Sequence, residues 1–391
     1  EGRELAAQTV YVSLIVSTFF TILTVPYDAV MNAHENMKYY AIIGIVESVL
    51  RLIVSYACIY ASGDKLITYS ILMAVIPIIS IIAMRVYCHT KYPECIVNPI
   101  KYCNKQDFVE MSKFAGWNFV GSFAGVVGNH GQGILGNLFF GVVVNASFGV
   151  VQQLQGMMAV VANNMQKALN PIIVKKAGAC DNENMLIWSL RGCKFSCYLM
   201  LWIVVPMIVE APFVLQLWLK DVPTGAVLFF RLQMIRYMLE VIVCSLSTAL
   251  MAIGQIKKLN MFQVLFLLIP LPLMYILYSL GFGAHWLFII YSISTFLLDL
   301  CILRLCKQYC FLQMFSYLKT VLLPVVMTIV VMIIPTIIIH NRVQNEITSV
   351  IFCFVTSWIF MFLSLILFGL NSEEKLYIIG IIKGLLLRMN K

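Results

Sequence analysis

The sequence contains few charged residues. Of its 391 residues, 12% are Asp, Glu, Lys or Arg and 61% are hydrophobic, whereas soluble domains carry about 25% charged residues. The mean hydropathy of +0.91 is also far above what a soluble core requires. The shortage of charge therefore excludes water as the main solvent and predicts a membrane protein.

Several motifs are missing as well. The chain has no GxxxxGK phosphate loop, no DxD pair and no large external loop, which argues against an ATP-driven pump, a glycosyltransferase and a glycan polymerase. Closely spaced cysteines such as Cys193 and Cys197 lack zinc-ribbon or thioredoxin spacing. We therefore expect no enzyme activity, no cofactor and no metal.

Long apolar runs fill most of the sequence. Each has roughly 20 residues or more, enough for a helix to cross a hydrocarbon core of about 30 Å. Helices are favoured because a backbone in lipid must satisfy its own hydrogen bonds. The sequence therefore predicts an all-α, polytopic membrane protein whose eleven spans lie at about 8–31, 40–61, 66–87, 114–140, 146–170, 195–217, 225–252, 260–280, 285–305, 320–340 and 348–370.

Basic residues fall mainly in every second gap between these spans. If the first gap is cytoplasmic, twenty of the 27 lysines and arginines are cytoplasmic, and such a bias sets orientation. The C-terminus is then cytoplasmic. The basic gaps lack aromatic stacking platforms, so we expect no nucleic acid partner despite the net charge of +9. Four basic residues are external and three lie within spans: Arg3, Lys65, Lys220 and Arg342, and Arg51, Arg231 and Arg236.

A weak internal repeat suggests the domain organisation. At an offset of 219 residues, Ala33 and Lys38 meet Ala252 and Lys257, and repeats of this kind are common in secondary transporters. We predict a partial N-lobe of three helices with a cytoplasmic linker at 1–100, a six-helix C-lobe at 101–310, and two additional helices with a tail at 311–391. On this reading the chain is a fragment that lacks three N-terminal helices of its first lobe.

Five sets of residues in the sequence form recognisable motifs: Val25–Lys38, Glu47–Leu52, Gly136–Gly141 with Val144–Ala146, Asn163–Pro171, and Leu217–Leu219 with Val222–Pro223. Together they resemble bacterial polysaccharide flippases of the lipopolysaccharide type, members of the multidrug/oligosaccharidyl-lipid/polysaccharide exporter superfamily. The resemblance covers residues 1 to about 310. One departure is Phe148 before Gly149, where the family often has an arginine.

The resemblance implies a MATE-like bundle of two lobes around a cavity that opens alternately to either side. Such a protein hands a lipid-linked oligosaccharide, a polyprenyl-diphosphate glycan, across the bacterial inner membrane for surface polysaccharide or lipopolysaccharide synthesis. The implied partners are this substrate, the lipid bilayer, a coupling ion (Na⁺ or H⁺) and polysaccharide-assembly proteins.

Basic residues within spans are the first candidates for substrate binding, because a diphosphate in a low-dielectric medium needs fixed cations. Arg236 lies ~17 Å from the external end of its span by helical rise, near the membrane midplane, and Glu240 follows at i+4. The pair is either a substrate contact or a structural ion pair. Arg231 has no acid at helical spacing, which favours substrate binding over snorkelling.

Another intramembrane pair repeats this spacing. Glu47 and Arg51 are again four residues apart, so substrate binding by Arg51 competes with a simple ion pair. Lys113 stands at the predicted cytoplasmic entrance of the C-lobe, where it either attracts an anionic headgroup or anchors the helix.

A polar interruption occurs within the fourth span. The segment Gly128–Gly133 contains Asn129, His130 and Gln132. Spans tolerate such residues where they line a cavity or pack closely on another helix. We interpret these three side chains as a cavity wall that contacts sugar hydroxyls, although a lone histidine such as His130 is more often a structural residue.

A MATE-type, cation-coupled multidrug antiporter is the alternative function. It would recognise organic cations and therefore needs unpaired acids in its cavity. Both Glu47 and Glu240 have arginine neighbours, which favours an anionic substrate.

Overall fold

A computed structural model describes residues 4–34, 36–60, 64–95, 104–219, 221–371 and 374–375. Within these ranges nearly all residues are helical and no strand occurs, which confirms the all-α fold. The chain divides into two units, Glu1–Asp107 and Phe108–Lys391. The predicted three-part division stays a prediction, and residues 96–103 of the linker and 376–391 of the tail lie outside the described ranges.

The first unit contains three helices, α1 (Glu4–Ala33), α2 (Met37–Ala57) and α3 (Lys65–Lys91). Both α1 and α2 pack against α3. The Asp64 carboxylate accepts a hydrogen bond from the Leu66 amide at 2.9 Å and so satisfies one of the free amides at the start of α3.

The turn between α1 and α2 contains the end of the segment that resembles polysaccharide flippases. Asn36 Nδ2 donates to the hydroxyls of Tyr87 at 2.6 Å and Tyr92 at 3.0 Å, while the His34 ring stacks on Tyr92 with centroids 4.1 Å apart. His34 also forms a hydrogen bond with Glu94, and this bond holds the pKa of the Glu94 carboxyl below its ordinary value. These contacts tie the α1–α2 turn to the end of α3.

The second unit opens with α4 (Lys105–Gly178), a helix interrupted at Gly141. Gly141 has φ +77°, a region that side-chain-bearing residues rarely adopt. The interruption brings Phe148 back beside Gly136, so the two segments of α4 pack on each other. The remaining helices are α5 (Asn182–Val209), α6 (Ala211–Leu219), α7 (Ala226–Ile242), α8 (Cys244–Ala252), α9 (Ile256–Leu268), α10 (Pro270–Ser279), α11 (Trp286–Tyr309), α12 (Met314–Tyr317), α13 (Leu323–Arg342) and α14 (Glu346–Ser364).

Helix α5 lies at the centre of the second unit. Its most apolar window is 72% buried, against 17% for the window of Ile256–Ser279. A helix that is surrounded by protein in this way faces little lipid. Helices α7, α8, α13 and α14 all pack against it.

Nine helical stretches of the described residues are long and apolar enough to cross a membrane, against eleven predicted spans. The stretch Phe108–Gly178 is counted as one helix, although it contains two predicted spans. The reason is that only Gly141 of the predicted gap at 141–145 has a non-helical backbone conformation. The predicted span 225–252 is divided between α7 and α8 at Val243. Two other predicted spans, 195–217 and 260–280, are divided in the same way, and the polytopic, MATE-like bundle is confirmed.

Glycines of α4 allow close contacts within the second unit. A Cβ at Gly136 would lie 2.4 Å from a ring carbon of Phe148, and one at Gly131 would lie 2.9 Å from Leu271. By contrast, a Cβ at Gly125 would meet no heavy atom within 4 Å. Close packing therefore requires a residue without a side chain at Gly131 and Gly136, and small residues are common where membrane helices contact each other.

Substituting Gly136 tests this packing. We expect Gly136→Ala to destabilise the protein by about 1–3 kcal/mol, because the added methyl displaces Phe148. Gly125→Ala is the matched control and should be neutral or slightly stabilising, since alanine favours the helix by ~1 kcal/mol. Thermal unfolding in detergent measures both, and an equal effect of the two substitutions would contradict the proposed contact.

Candidate functional site

Helix α7 carries three of the predicted site residues and packs along α11. Gly225, with φ +82°, precedes the helix, and a Cβ there would approach the Phe229 ring to 2.8 Å. The Phe229 ring in turn stacks on Phe288 of α11 with centroids 5.1 Å apart. This packing places Arg236 of α7 beside Tyr291 of α11.

Arg236 is buried, with only 3% of its surface exposed. One guanidinium nitrogen lies 3.2 Å from Glu240 Oε1, and the guanidinium carbon lies 4.7 Å from the centroid of the Tyr291 ring, within the range of a cation–π contact. Nε and Nη1 have no hydrogen-bond partner among the described residues. The ion pair thus leaves two donors that an anionic group can use.

Tyr291 connects this ion pair to α4. Its hydroxyl donates toward the carbonyls of Gly128 at 3.5 Å and Leu267 at 3.3 Å. The nearby Gln132 side chain of α4 is buried, and neither of its amide atoms has a hydrogen-bond partner among the described residues. Tyr291 therefore links the Arg236 guanidinium to the backbone of α4.

A cavity of about 280 Å³ begins at Gln132. This volume is close to the lower end of small-molecule sites, about 300–1,000 Å³, and suits part of a glycan better than a whole one. The three predicted polar residues of α4 lie together in its wall. The lining residues are Asn129, His130, Gln132, Gly133, Asn145, Phe148, Gly149, Gln152 and Phe288.

The aromatic ring of Phe148 lines this cavity. This is the position at which the family often has an arginine. The Phe148 ring meets Phe229 and Phe288 edge-on, with centroids 5.3 Å and 5.4 Å away. Such T-shaped contacts stabilise aromatic clusters. The cavity is thus lined by amides, an imidazole and aromatic rings, and the buried cation lies beyond Tyr291.

Arg231 has a different environment. Its Nε donates to the Ile208 carbonyl at 2.9 Å and Nη2 to the Val209 carbonyl at 3.3 Å. These are unsatisfied carbonyls at the end of α5, where a cation also interacts favourably with the helix dipole. Backbone carbonyls thus take the place of the acidic partner that Arg231 lacks, and the side chain stabilises a helix end.

Glu47 and Arg51 lie in the first unit. Glu47 Oε2 is 3.9 Å from Arg51, and its Oε1 accepts a hydrogen bond of 2.5 Å from Ser80. Arg51 also lines a cavity of about 320 Å³ together with hydroxyls of α1 and α3. Lys113 of the second unit is exposed, and no ion pair of the described residues includes it.

Sequence reasoning missed Asp299 of α11. This carboxylate is 6% exposed, and its Oδ2 has no hydrogen-bond partner among the described residues. It lies within electrostatic range of Glu240. The sequence could have indicated this residue, because it is an acid between Leu298 and Leu300 in an apolar span. Acidic residues within membrane spans are energetically costly and are commonly functional.

Comparisons with known proteins agree with this architecture. Residues 2–176 match the family described as polysaccharide biosynthesis protein. The fold is similar to a crystal structure of MATE in the bent conformation, with a TM-score of 0.59 and 12% identity over 78% of this chain and 77% of that one. The chain has a MATE-like transporter fold.

A second solved structure supports the same conclusion. The lipid II flippase MurJ in its inward closed conformation matches with a TM-score of 0.57 and 13% identity over 89% of this chain and 71% of that one. No curated protein matches in sequence. The family match agrees with the predicted resemblance to the exporter superfamily, and the two structures show that the fold is a MATE-like, polytopic helical bundle.

A double-mutant cycle tests the Arg236–Glu240 pair. We expect Arg236→Met and Glu240→Gln to be non-additive, with a coupling energy of about 1–3 kcal/mol, because each single change leaves a charge unpaired in a low-dielectric interior. Unfolding in detergent measures the four proteins. The control cycle pairs Glu240 with exposed Arg304 and should be additive within ~0.5 kcal/mol; coupling of equal size in both cycles would contradict the pair.

Proposed function

We propose that this protein moves a lipid-linked oligosaccharide across the bacterial inner membrane as a secondary transporter. The observation that carries the proposal is Arg236, a buried guanidinium with two unused donor nitrogens, in the unit that also contains a cavity lined by polar side chains. In this proposal the guanidinium binds the diphosphate and the cavity binds adjoining sugar. Bidentate binding of phosphate oxygens is what an arginine provides and a lysine does not.

The cavity residues fit the glycan part of such a substrate. Asn129, Gln132 and Gln152 offer both donors and acceptors to sugar hydroxyls, and the ring of Phe148 offers an apolar surface to a sugar face. His130 lies in the same wall. Their common cavity supports a neutral, glycan-binding part of the site, and Arg236 is the proposed cationic part.

Access to Arg236 requires a conformational change. At 3% exposure, its guanidinium is closed off by Tyr291 and its neighbours in this conformation. Alternating access, in which a transporter opens to each side in turn, supplies a conformation that admits the phosphate. Arg51 with its first-unit cavity, and Lys113, remain additional candidate contacts for the anionic head, whereas Arg231 is bound to the end of α5.

Binding of a polyprenyl diphosphate to the purified full chain tests this assignment. We expect Arg236→Gln to weaken binding roughly 10- to 100-fold, which corresponds to the ~1.5–3 kcal/mol of a hydrogen bond to a charged group. Arg236→Lys should recover only part of the loss. Arg304→Gln removes an exposed arginine of the same unit and should bind as the unmodified chain does; equal affinities of all four proteins would refute a role for Arg236.

Asp299 favours a second candidate, the cation-coupled multidrug antiporter. A buried acid with a free oxygen meets the need of such a protein for an intramembrane acid, which Glu47 and Glu240 do not meet because each pairs with an arginine. The same acid also suits a flippase that takes up H⁺ or Na⁺ during its cycle. Asp299 alone therefore does not separate the two functions.

Substitution of Asp299 does separate them. If the protein is an ion-coupled flippase, Asp299→Asn should leave polyprenyl diphosphate binding unchanged and abolish the stimulation of transport by an ion gradient in proteoliposomes. If it is a drug antiporter, the unmodified chain should bind an organic cation such as ethidium, and Asp299→Asn should lose that binding. Ethidium binding without any polyprenyl diphosphate binding would replace the flippase proposal by the antiporter.

A further inference from the structure

Three potential metal ligands meet at one end of α5, outside the cavity that Asn129, His130 and Gln132 line. Glu210 follows the last residue of α5, His340 lies in the last turn of α13, and Cys353 lies in α14. Their ligand atoms are all within 4.8 Å of one another. The sequence could not indicate this group, because its members are separated by 130 and 13 positions.

The surroundings of Glu210 orient its carboxylate toward the other two ligands. The residue is 2% exposed, and its Oε1 lies 2.9 Å from His340 Nδ1 and accepts a hydrogen bond of 2.6 Å from Ser349. Hydrogen bonds of this kind from a second layer fix the orientation of metal ligands. Cys353 Sγ is within 3.5 Å of the Thr336 carbonyl and is fully buried.

The donor set is characteristic of one class of ion. Carboxylate oxygen, imidazole nitrogen and thiolate sulfur are the three ligand types that Zn²⁺ combines in tetrahedral sites, at about 2.0–2.3 Å. Calcium and magnesium select oxygen ligands. His340 has 41% of its side chain exposed, which gives an ion an entry route and leaves a fourth position for water.

We propose that Glu210, His340 and Cys353 form a zinc-binding site that joins the ends of α5, α13 and α14. Zinc binding releases the Cys353 thiol proton to solvent. The Nδ1 proton of His340 moves to Nε2, or is released where the ring is charged, and Nδ1 then binds zinc in place of its contact with Glu210. The ion would then fasten the C-terminal helix pair to the central helix. This inference does not depend on the substrate of the transporter.

Cobalt substitution and zinc titration of the purified full chain test the site. We expect one zinc ion per chain in calorimetry, and with Co²⁺ a thiolate-to-metal charge-transfer band in the near ultraviolet. Cys353→Ser should remove the band, while His340→Ala should weaken zinc binding at least about 10-fold. His340→Ala removes one contact of the buried Glu210 carboxylate, so circular dichroism checks that this variant is folded before zinc is added.

Matched controls use residues of the same type elsewhere in the second unit. His285→Ala and Cys301→Ser, at residues outside this cluster, should leave the stoichiometry, the affinity and the charge-transfer band unchanged. At the same zinc concentration, zinc should also raise the Tm of the unmodified chain and of both controls by more than it raises the Tm of His340→Ala. An absence of zinc binding, or equal binding by His340→Ala and His285→Ala, would overturn the proposal.

Discussion

Burial of the Arg236 guanidinium is the constraint on which the polar interior of the second unit depends. A charge of this kind is expensive within a membrane unless partners compensate it. Glu240 supplies the opposite charge at 3.2 Å and Tyr291 an aromatic face at 4.7 Å. Because Tyr291 also contacts α4 through its hydroxyl, the ion pair and the cavity of Asn129, His130 and Gln132 belong to one arrangement.

Other polar groups lie along α5. Near the middle of this helix, Lys194 is 1% exposed and forms an ion pair with Glu374, and Arg191 lies 3.9 Å from the same carboxylate. At the end of the helix Glu210 contacts His340 and Ser349. Buried charges with such partners specify one packing arrangement in some proteins, and these two clusters fix the C-terminal helices against α5.

Much of this architecture could be predicted from the sequence. Apolar runs of about 20 residues determine membrane helices through length alone, and the i, i+4 spacing placed both arginine–glutamate pairs correctly. Asn129, His130 and Gln132 share a cavity, as the polar interruption indicated. These features follow from local periodicity, which a single sequence contains.

Features that depend on contacts between distant segments could not be predicted. The sequence has no proline or glycine near Val243 that would predict the break between α7 and α8. The partners of Arg231 are backbone carbonyls 22 and 23 positions away, which no side-chain pattern reveals. Tyr291 and Asp299 gain their importance only where α11 packs on α7, and Glu210 gains its importance only where α13 and α14 meet the end of α5.

The central claim is that the donors of Arg236 bind the anionic head of a lipid-linked substrate. A cryo-electron microscopy structure of the full chain with a polyprenyl diphosphate bound tests it most directly. The account predicts phosphate density within hydrogen-bond distance, about 3 Å, of Arg236 Nε or Nη1, with Tyr291 displaced from its present contact. A diphosphate bound elsewhere, with the Arg236–Glu240–Tyr291 arrangement unchanged, would contradict it.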